Sequence, residues 1–147
     1  MKVIGCGNPD RGDDQAGLLV SERVREQGVQ AEIHLGDPLS LLERWRSDDD
    51  VILVDAMMTG APVGTVRTWD DRLPRLPERL AVSSHGFDIG KAIELAQTLE
   101  RLPRTLRIYG IEGRQFERGA KISSEVGRAI ETLARQIAAE TLTHPKI

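Results

Sequence analysis

The chain has 147 residues, of which 39% are hydrophobic and 29% charged, which is typical of one soluble globular domain spanning residues 1–147. A formal net charge of −3 provides no basic surface for nucleic acid, and no apolar run approaches the roughly 20 residues of a membrane span. The single cysteine, Cys6, excludes an intrachain disulfide, and no signal peptide follows Met1. We therefore expect a cytoplasmic protein with neither a nucleic-acid nor a membrane partner.

Strands and helices alternate along the chain. Strands are predicted for residues 2–6, 30–35, 51–56, 64–69 and 105–110, and helices for residues 14–27, 38–46, 88–99 and 123–142. A surface loop is predicted from residue 70 to residue 80, where prolines and charges are frequent. Four successive aliphatic residues at 51–54 indicate a strand buried on both faces. The pattern predicts an α/β fold, a three-layer helix–sheet–helix sandwich around a mostly parallel mixed sheet of about five strands.

The turn between the first strand and the first helix combines glycines with carboxylates. Glycine-rich turns at this position usually bind phosphate through backbone N–H groups. Here Gly7 and Gly12 are followed by Asp13 and Asp14, where a phosphate loop would carry Lys and Ser or Thr. Two carboxylates would repel phosphate, whereas Asp oxygens are good ligands for cations. The turn therefore points to a metal rather than to a nucleotide.

Four polar residues follow or end predicted strands, at the edge where α/β proteins bind ligands. Asp14 comes after the first strand, Asp55 ends the aliphatic strand, His85 lies in a short polar loop, and Glu112 follows the last strand. Two carboxylates and one imidazole from separate loops can form an open site for a divalent metal. We take Asp14, Asp55 and His85 as the candidate ligands.

Each residue also has a structural interpretation. We expect Asp13 to cap the first helix. His85 taken alone fits a loop histidine as well as a ligand, while an acid that ends a doubly buried strand, as Asp55 does, is rarely explained by packing. We expect Cys6 to be a small buried residue, because no neighbouring base would activate its thiol. His34 is expected to be structural or solvent-facing.

With these residues in place, the chain resembles the hydrogenase maturation proteases. The resemblance extends over nearly the whole chain, and it rests on Gly5-x-Gly7-Asn8, Gly12-Asp13-Asp14 with Gly17, Val54-Asp55-Ala56, the Ser-rich turn that ends in His85, and Gly110-Ile111. It implies a mixed sheet between helices, of the phosphorylase/hydrolase-like type. It also implies an endopeptidase that removes the C-terminal tail of a nickel–iron hydrogenase large-subunit precursor.

The resemblance assigns Asp14, Asp55 and His85 as both the metal-binding and the catalytic residues. It implies no permanent cofactor: the nickel arrives already inserted in the precursor, although other divalent metals are able to occupy such a site. Two departures stand out. Gln15 replaces a common Gly, and Gly36-Asp37-Pro38 replaces a Gly-Gly-Thr/Ser-like stretch. Asp37 is expected to cap a helix or shape a loop rather than to add a ligand.

Two other functions remain open at this stage. One is a nickel-dependent checkpoint or chaperone that binds the large subunit without cutting it. The other is a nucleotide-binding α/β domain that uses Gly5-x-Gly7, which the acids in the turn disfavour.

Overall fold

The computed structural model describes residues 1–35, 37–70 and 89–143, and these residues contain one five-stranded sheet. The strands are β1 (Lys2–Cys6), β2 (Ala31–His34), β3 (Asp50–Met57), β4 (Val66–Asp70) and β5 (Thr105–Glu112). Their spatial order is β2-β1-β3-β5-β4. The first four in this order are parallel, and β4 runs antiparallel to β5.

Helices cover both faces of the sheet. The helices are α1 (Ala16–Glu26), α2 (Pro38–Leu41), α3 (Ile89–Thr98) and α4 (Ser124–Thr143). The first core joins α1 and α4 to one face of the sheet through residues such as Val20 and Ile130. The second core joins α2 and α3 to the opposite face through residues such as Leu41 and Ile93. The predicted three-layer α/β sandwich around a mostly parallel mixed sheet is confirmed.

Several helix and strand boundaries in the structure differ from the predicted ones. A 3₁₀ turn at Gly12–Gln15 precedes α1, where the sequence predicted helix from residue 14. The predicted helix at 38–46 is instead the single turn of α2 followed by a 3₁₀ turn at Leu42–Arg44. β4 includes Asp70, the first residue of the predicted loop; the rest of that loop lies outside the described residues. In the described ranges, every helix is too short or too polar to cross a bilayer.

Asp37 caps α2, as expected. Its carboxylate accepts a hydrogen bond from the Ser40 N–H at 2.8 Å, and Pro38 occupies the first turn. Pro is favoured there because its missing N–H would have no helical partner. Asp37 and Pro38 together therefore supply a helix start.

Helix α1 approaches the sheet closely at a glycine. A Cβ atom at Gly17 would overlap the carbonyl oxygens of Cys6 in β1 and Val54 in β3. On the facing strand, a Cβ at Gly5 would overlap the Gly17 carbonyl. The two glycines therefore set the spacing between α1 and the two strands that end beside the carboxylates.

We expect Gly17→Ala to lower the free energy of unfolding by about 3 kcal/mol, because the added methyl group meets backbone atoms that cannot move independently. Gly127→Ala in α4 is the control, since a Cβ there meets no described atom within 4 Å. Helix propensity alone should make that variant more stable by about 0.5–1 kcal/mol. Urea unfolding measures both, and equal stability of the two variants would contradict the close approach.

Asp13 does not cap α1, and that prediction is wrong. Its fully buried carboxylate accepts hydrogen bonds from the N–H groups of Arg114, Gln115 and Ser123 at 2.7–2.9 Å, and from the Ser123 hydroxyl at 2.7 Å. The Asp13 N–H also donates to the Gln115 carbonyl at 2.7 Å. The turn after β1 is thereby fixed to the segment between β5 and α4.

These contacts change the pKa of the Asp13 carboxyl. Burial raises the pKa of the Asp13 carboxyl, but the hydrogen bonds from Gln115, Arg114 and Ser123 outweigh burial and leave the pKa below its usual value. A pKa lowered on folding contributes stability above the pKa of the unfolded chain. That contribution is lost as the pH falls through the folded-state pKa.

We expect Asp13→Asn to lower the free energy of unfolding at neutral pH by about 3 kcal/mol, because an amide nitrogen cannot accept the N–H donors. The difference from the unaltered chain should shrink as the pH falls below the usual Asp range, where Asp13 is itself protonated. Asp10→Asn, at an exposed position of the same turn, should change stability little at either pH. A pH-independent deficit in Asp13→Asn, measured by denaturant unfolding, would show that the charge is not responsible.

Candidate functional site

The carboxyl ends of β1, β3 and β5 meet at one edge of the sheet. Asp14 lies in the 3₁₀ turn that follows β1, and Asp55 lies near the end of β3, opposite Gly110 of β5. Because Gly5 is in register with Val54, Cys6 lies beside Asp55. The sheet topology thus brings the two predicted carboxylates together, as the sequence analysis expected.

Asp14 is held from its own turn. Asp14 is 3% exposed, and its carboxylate accepts a hydrogen bond from the Asn8 side-chain amide at 2.8 Å. The Asp14 carbonyl accepts the Asn8 N–H at 3.3 Å, and its N–H donates to the Arg11 carbonyl at 3.0 Å. Asn8 therefore contacts both the carboxylate and the main-chain carbonyl of Asp14, and these contacts orient the Asp14 side chain.

Asp55 is 5% exposed, and among the described residues its carboxylate has a single hydrogen bond, from the Ala56 N–H at 2.8 Å. Burial and the nearby charge of Asp14 together raise the pKa of Asp55 well above its usual range, against the opposing effect of the Ala56 N–H. Two buried carboxylates that repel each other favour a bound proton or a bound cation between them. Such a pair can hold a metal, and a carboxylate of raised pKa can also accept a proton during hydrolysis.

Cys6 is fully buried, as predicted. Burial, with a smaller contribution from the Asp55 charge, raises the pKa of its thiol well above the usual value, and Arg44 opposes this. A thiol held in its protonated form is a poor nucleophile. Cys6 is therefore a buried packing residue and not a candidate nucleophile.

His85, the predicted imidazole of the site, lies outside the described residues. Its role stays a prediction. Within residues 1–35, 37–70 and 89–143, no group of three or more His, Cys, Asp or Glu side chains is arranged to hold a metal ion.

Glu112 lies at the same edge of the sheet, in register with Met57, but its carboxylate is engaged elsewhere. It is 2% exposed and accepts hydrogen bonds from the Thr59 N–H at 2.9 Å and from the Thr59 hydroxyl at 2.6 Å. Glu112 therefore fixes the loop after β3. It supports the site rather than joining it.

His34 is buried at the end of β2, which confirms a structural role. It is in register with Cys6, and strand alternation places His34, Cys6 and Asp55 side by side on the face covered by α2 and α3. Arg44 donates from Nε to His34 Nδ1 at 3.1 Å. Arg44 was not predicted from the sequence. The signal that indicated Asp55, a polar residue at the end of a predicted strand, is also present at His34, the hydrogen-bond partner of Arg44.

Comparisons with known proteins agree with this fold. The family model described as "Hydrogenase maturation protease" (HycI) matches residues 35–140. Among curated proteins, the hydrogenase expression/formation protein HupD of Thiocapsa roseopersicina is 28% identical over 116 residues, covering 75% of this chain and 52% of HupD. The chain thus spans about half the length of that relative. Protein FrxA of Pyrococcus furiosus is 28% identical over 122 residues, covering 81% of this chain and 88% of FrxA.

Solved structures show the same architecture. The hydrogenase maturating endopeptidase HybD from E. coli superimposes with a TM-score of 0.73 at 21% identity, covering 97% of this chain and 91% of HybD. The [NiFe] hydrogenase maturation protease HycI from Thermococcus kodakarensis KOD1 gives a TM-score of 0.72 at 29% identity, covering 94% of this chain and 89% of HycI. Since the family model covers most of its length, this chain belongs to the hydrogenase maturation protease family.

Proposed function

We propose that the chain is an endopeptidase that removes the C-terminal tail of a nickel–iron hydrogenase large-subunit precursor after nickel insertion. Its substrate is the precursor with its nickel, and it carries no permanent metal of its own. Asp14, Asp55 and His85 contact that nickel and position the scissile bond. The observation that carries the proposal is the buried pair Asp14 and Asp55 at the carboxyl ends of β1 and β3.

The electrostatics of the pair support a cation as the recognised group. Asp14 repels Asp55 strongly enough to contribute to the raised pKa of Asp55. A divalent ion placed between the carboxylates would replace this repulsion with attraction, and the low local dielectric strengthens both effects. A precursor without nickel would leave the repulsion in place. The site can thereby distinguish loaded from unloaded precursor.

The hydrolytic step requires water, a proton acceptor and a stabilised carbonyl oxygen. The precursor's nickel is able to polarise the scissile carbonyl or the attacking water. Asp55 can accept a proton from that water on a carboxylate oxygen that does not contact the nickel, and return it to the departing amine. Asp14, held by Asn8, contributes fixed negative charge for the cation.

Two other functions predict different results. A nickel-dependent checkpoint or chaperone would bind the loaded precursor and leave its mass unchanged. A nucleotide-binding domain would be stabilised thermally by a nucleotide and not by nickel or zinc, although the buried acids at 13 and 14 oppose phosphate. A cytoplasmic location, and the absence of nucleic-acid and membrane partners, remain predictions from the sequence.

We expect Asp55→Asn and His85→Ala each to abolish processing of a nickel-loaded precursor while the circular dichroism spectrum is retained. Asparagine removes the charge that attracts the cation, and alanine removes the imidazole ligand. The mass of the precursor after incubation measures loss of the tail.

Asp50→Asn is the matched control for Asp55→Asn, because Asp50 lies at the opposite end of β3 and pairs with Arg104. We expect Asp50→Asn to process the precursor normally. Full activity of Asp55→Asn and His85→Ala would overturn the site assignment. An unchanged precursor mass with the unaltered chain, despite complex formation, would favour the checkpoint.

A further inference from the structure

We propose that the free edge of β2 receives an extended segment of the precursor as an added strand. This inference rests on the proposed function, and it names the surface that holds the substrate beside the carboxylates. β2 is the first strand in the order β2-β1-β3-β5-β4, and β1 is its one neighbour among the described residues. An edge strand carries outward N–H and C=O groups that another extended backbone can pair with.

The register shows which groups point outward. The Val3 N–H donates to the Gln30 carbonyl at 3.1 Å, and Val3 is in register with Ala31. In a parallel pair, alternate residues of a strand face the partner. Residues 30, 32 and 34 therefore bond to β1, whereas Ala31 and Ile33 direct their backbone groups away from the sheet.

The outward backbone groups of Ala31 and Ile33 differ in their hydrogen bonding. Arg25 donates from Nε to the Ala31 carbonyl at 3.1 Å and so covers the edge at the end remote from the carboxylates. Within the described residues, the backbone groups of Ile33 have no hydrogen-bond partner. Proteins usually protect an exposed edge with charge. Here Arg25 covers the backbone at the remote end, whereas the Ile33 backbone nearer the site is left uncovered.

The open end is apolar and lies beside a groove. Ile33 is 40% exposed and Leu35 is 51% exposed. The groove has a volume of about 560 Å³ and is lined by Ile33, His34, Leu35, Ser40, Glu43 and Arg44. This volume is large enough for one or two side chains of a bound peptide. An apolar side chain of the added strand would cover Ile33 and Leu35, and its backbone would pair with Ile33.

Hydrogen bonds hold the side chains that form the floor of the groove. His34 Nδ1 accepts the Arg44 Nε–H at 3.1 Å, so the ring proton lies on Nε2, which contacts the Asp37 carbonyl at 3.2 Å. Arg44 is further anchored by Glu32, 3.6 Å away. A preformed groove costs less conformational entropy when a peptide binds.

The distance from this edge to the carboxylates suits a peptide substrate. An added strand lies three strand spacings from β3, about 15 Å at roughly 4.8 Å each. About four or five extended residues span that distance. The segment bound at β2 would therefore lie about four or five residues from the scissile bond.

The test replaces the outward N–H of β2. Ile33→Pro removes that donor and blocks strand addition without removing a bond of the β1–β2 ladder. We expect KM for nickel-loaded precursor to rise about tenfold or more, the effect of losing one or two hydrogen bonds with their apolar contact, while kcat stays within about twofold. The loss should reside in KM because the edge does not touch the reacting atoms.

Thr68→Pro is the matched control at the other edge of the sheet. The Glu112 N–H donates to the Thr65 carbonyl, so alternate residues 65, 67 and 69 face β5 and Thr68 faces outward. This variant introduces the same ring into an edge strand remote from the groove. It should keep KM within about twofold, and an equal rise in both variants would overturn the proposal.

Hydrogen exchange of the unaltered chain provides a second readout. It does not depend on cleavage of the precursor or on whether the Ile33→Pro variant folds. With saturating nickel-loaded precursor, the β2 fragment should gain a protected amide whose exchange slows about tenfold or more. Absence of that protection overturns strand addition at β2, even where the precursor is cleaved normally. Protection without cleavage would retain the β2 surface and overturn the protease.

Discussion

The buried carboxylate of Asp13 connects the turn after β1 to the segment between β5 and α4, and the position of the neighbouring Asp14 follows from this connection. Three backbone N–H groups and one hydroxyl converge on that carboxylate. A buried charge with this many donors is stabilised only in one arrangement of the two segments. The charge thus fixes the turn, while Gly17 and Gly5 allow α1 to approach close enough for the turn to reach the edge of β3.

Neighbouring acids in this site have different roles because their surroundings differ. Asp13 is surrounded by N–H donors, and its pKa is lowered; Asp55 accepts one N–H and faces Asp14, and its pKa is raised. The first is satisfied by the protein itself. Asp55 has one N–H donor and faces a second carboxylate, so a positive charge nearby would stabilise its ionised form. This difference separates the carboxylate that stabilises the fold from the pair that we propose to bind the substrate's cation.

The row of carboxyl-terminal strand ends that carries the two carboxylates continues across β1 to the groove beside β2. His34, Cys6 and Asp55 lie on adjacent strands in one row, so the proposed peptide surface and the proposed cation site lie on the same face of the sheet. A substrate that presents both a metal and an extended tail could engage both at once. Recognition at two connected points would reject a precursor that offers only one of them.

Local patterns predicted the strand–helix alternation, the central aliphatic strand and the cap at Asp37. The rule that parallel strands end at one edge predicted that Asp14 and Asp55 lie at the same edge. The role of Asp13 emerges only in the folded chain, because its donors Arg114, Gln115 and Ser123 lie about a hundred residues away. Tertiary structure also engaged Glu112 with Thr59 and placed β2 at the edge of the sheet. Hydrogen bonds between distant segments and the order of strands leave no periodic signal in the chain, since they form only when the whole sheet assembles.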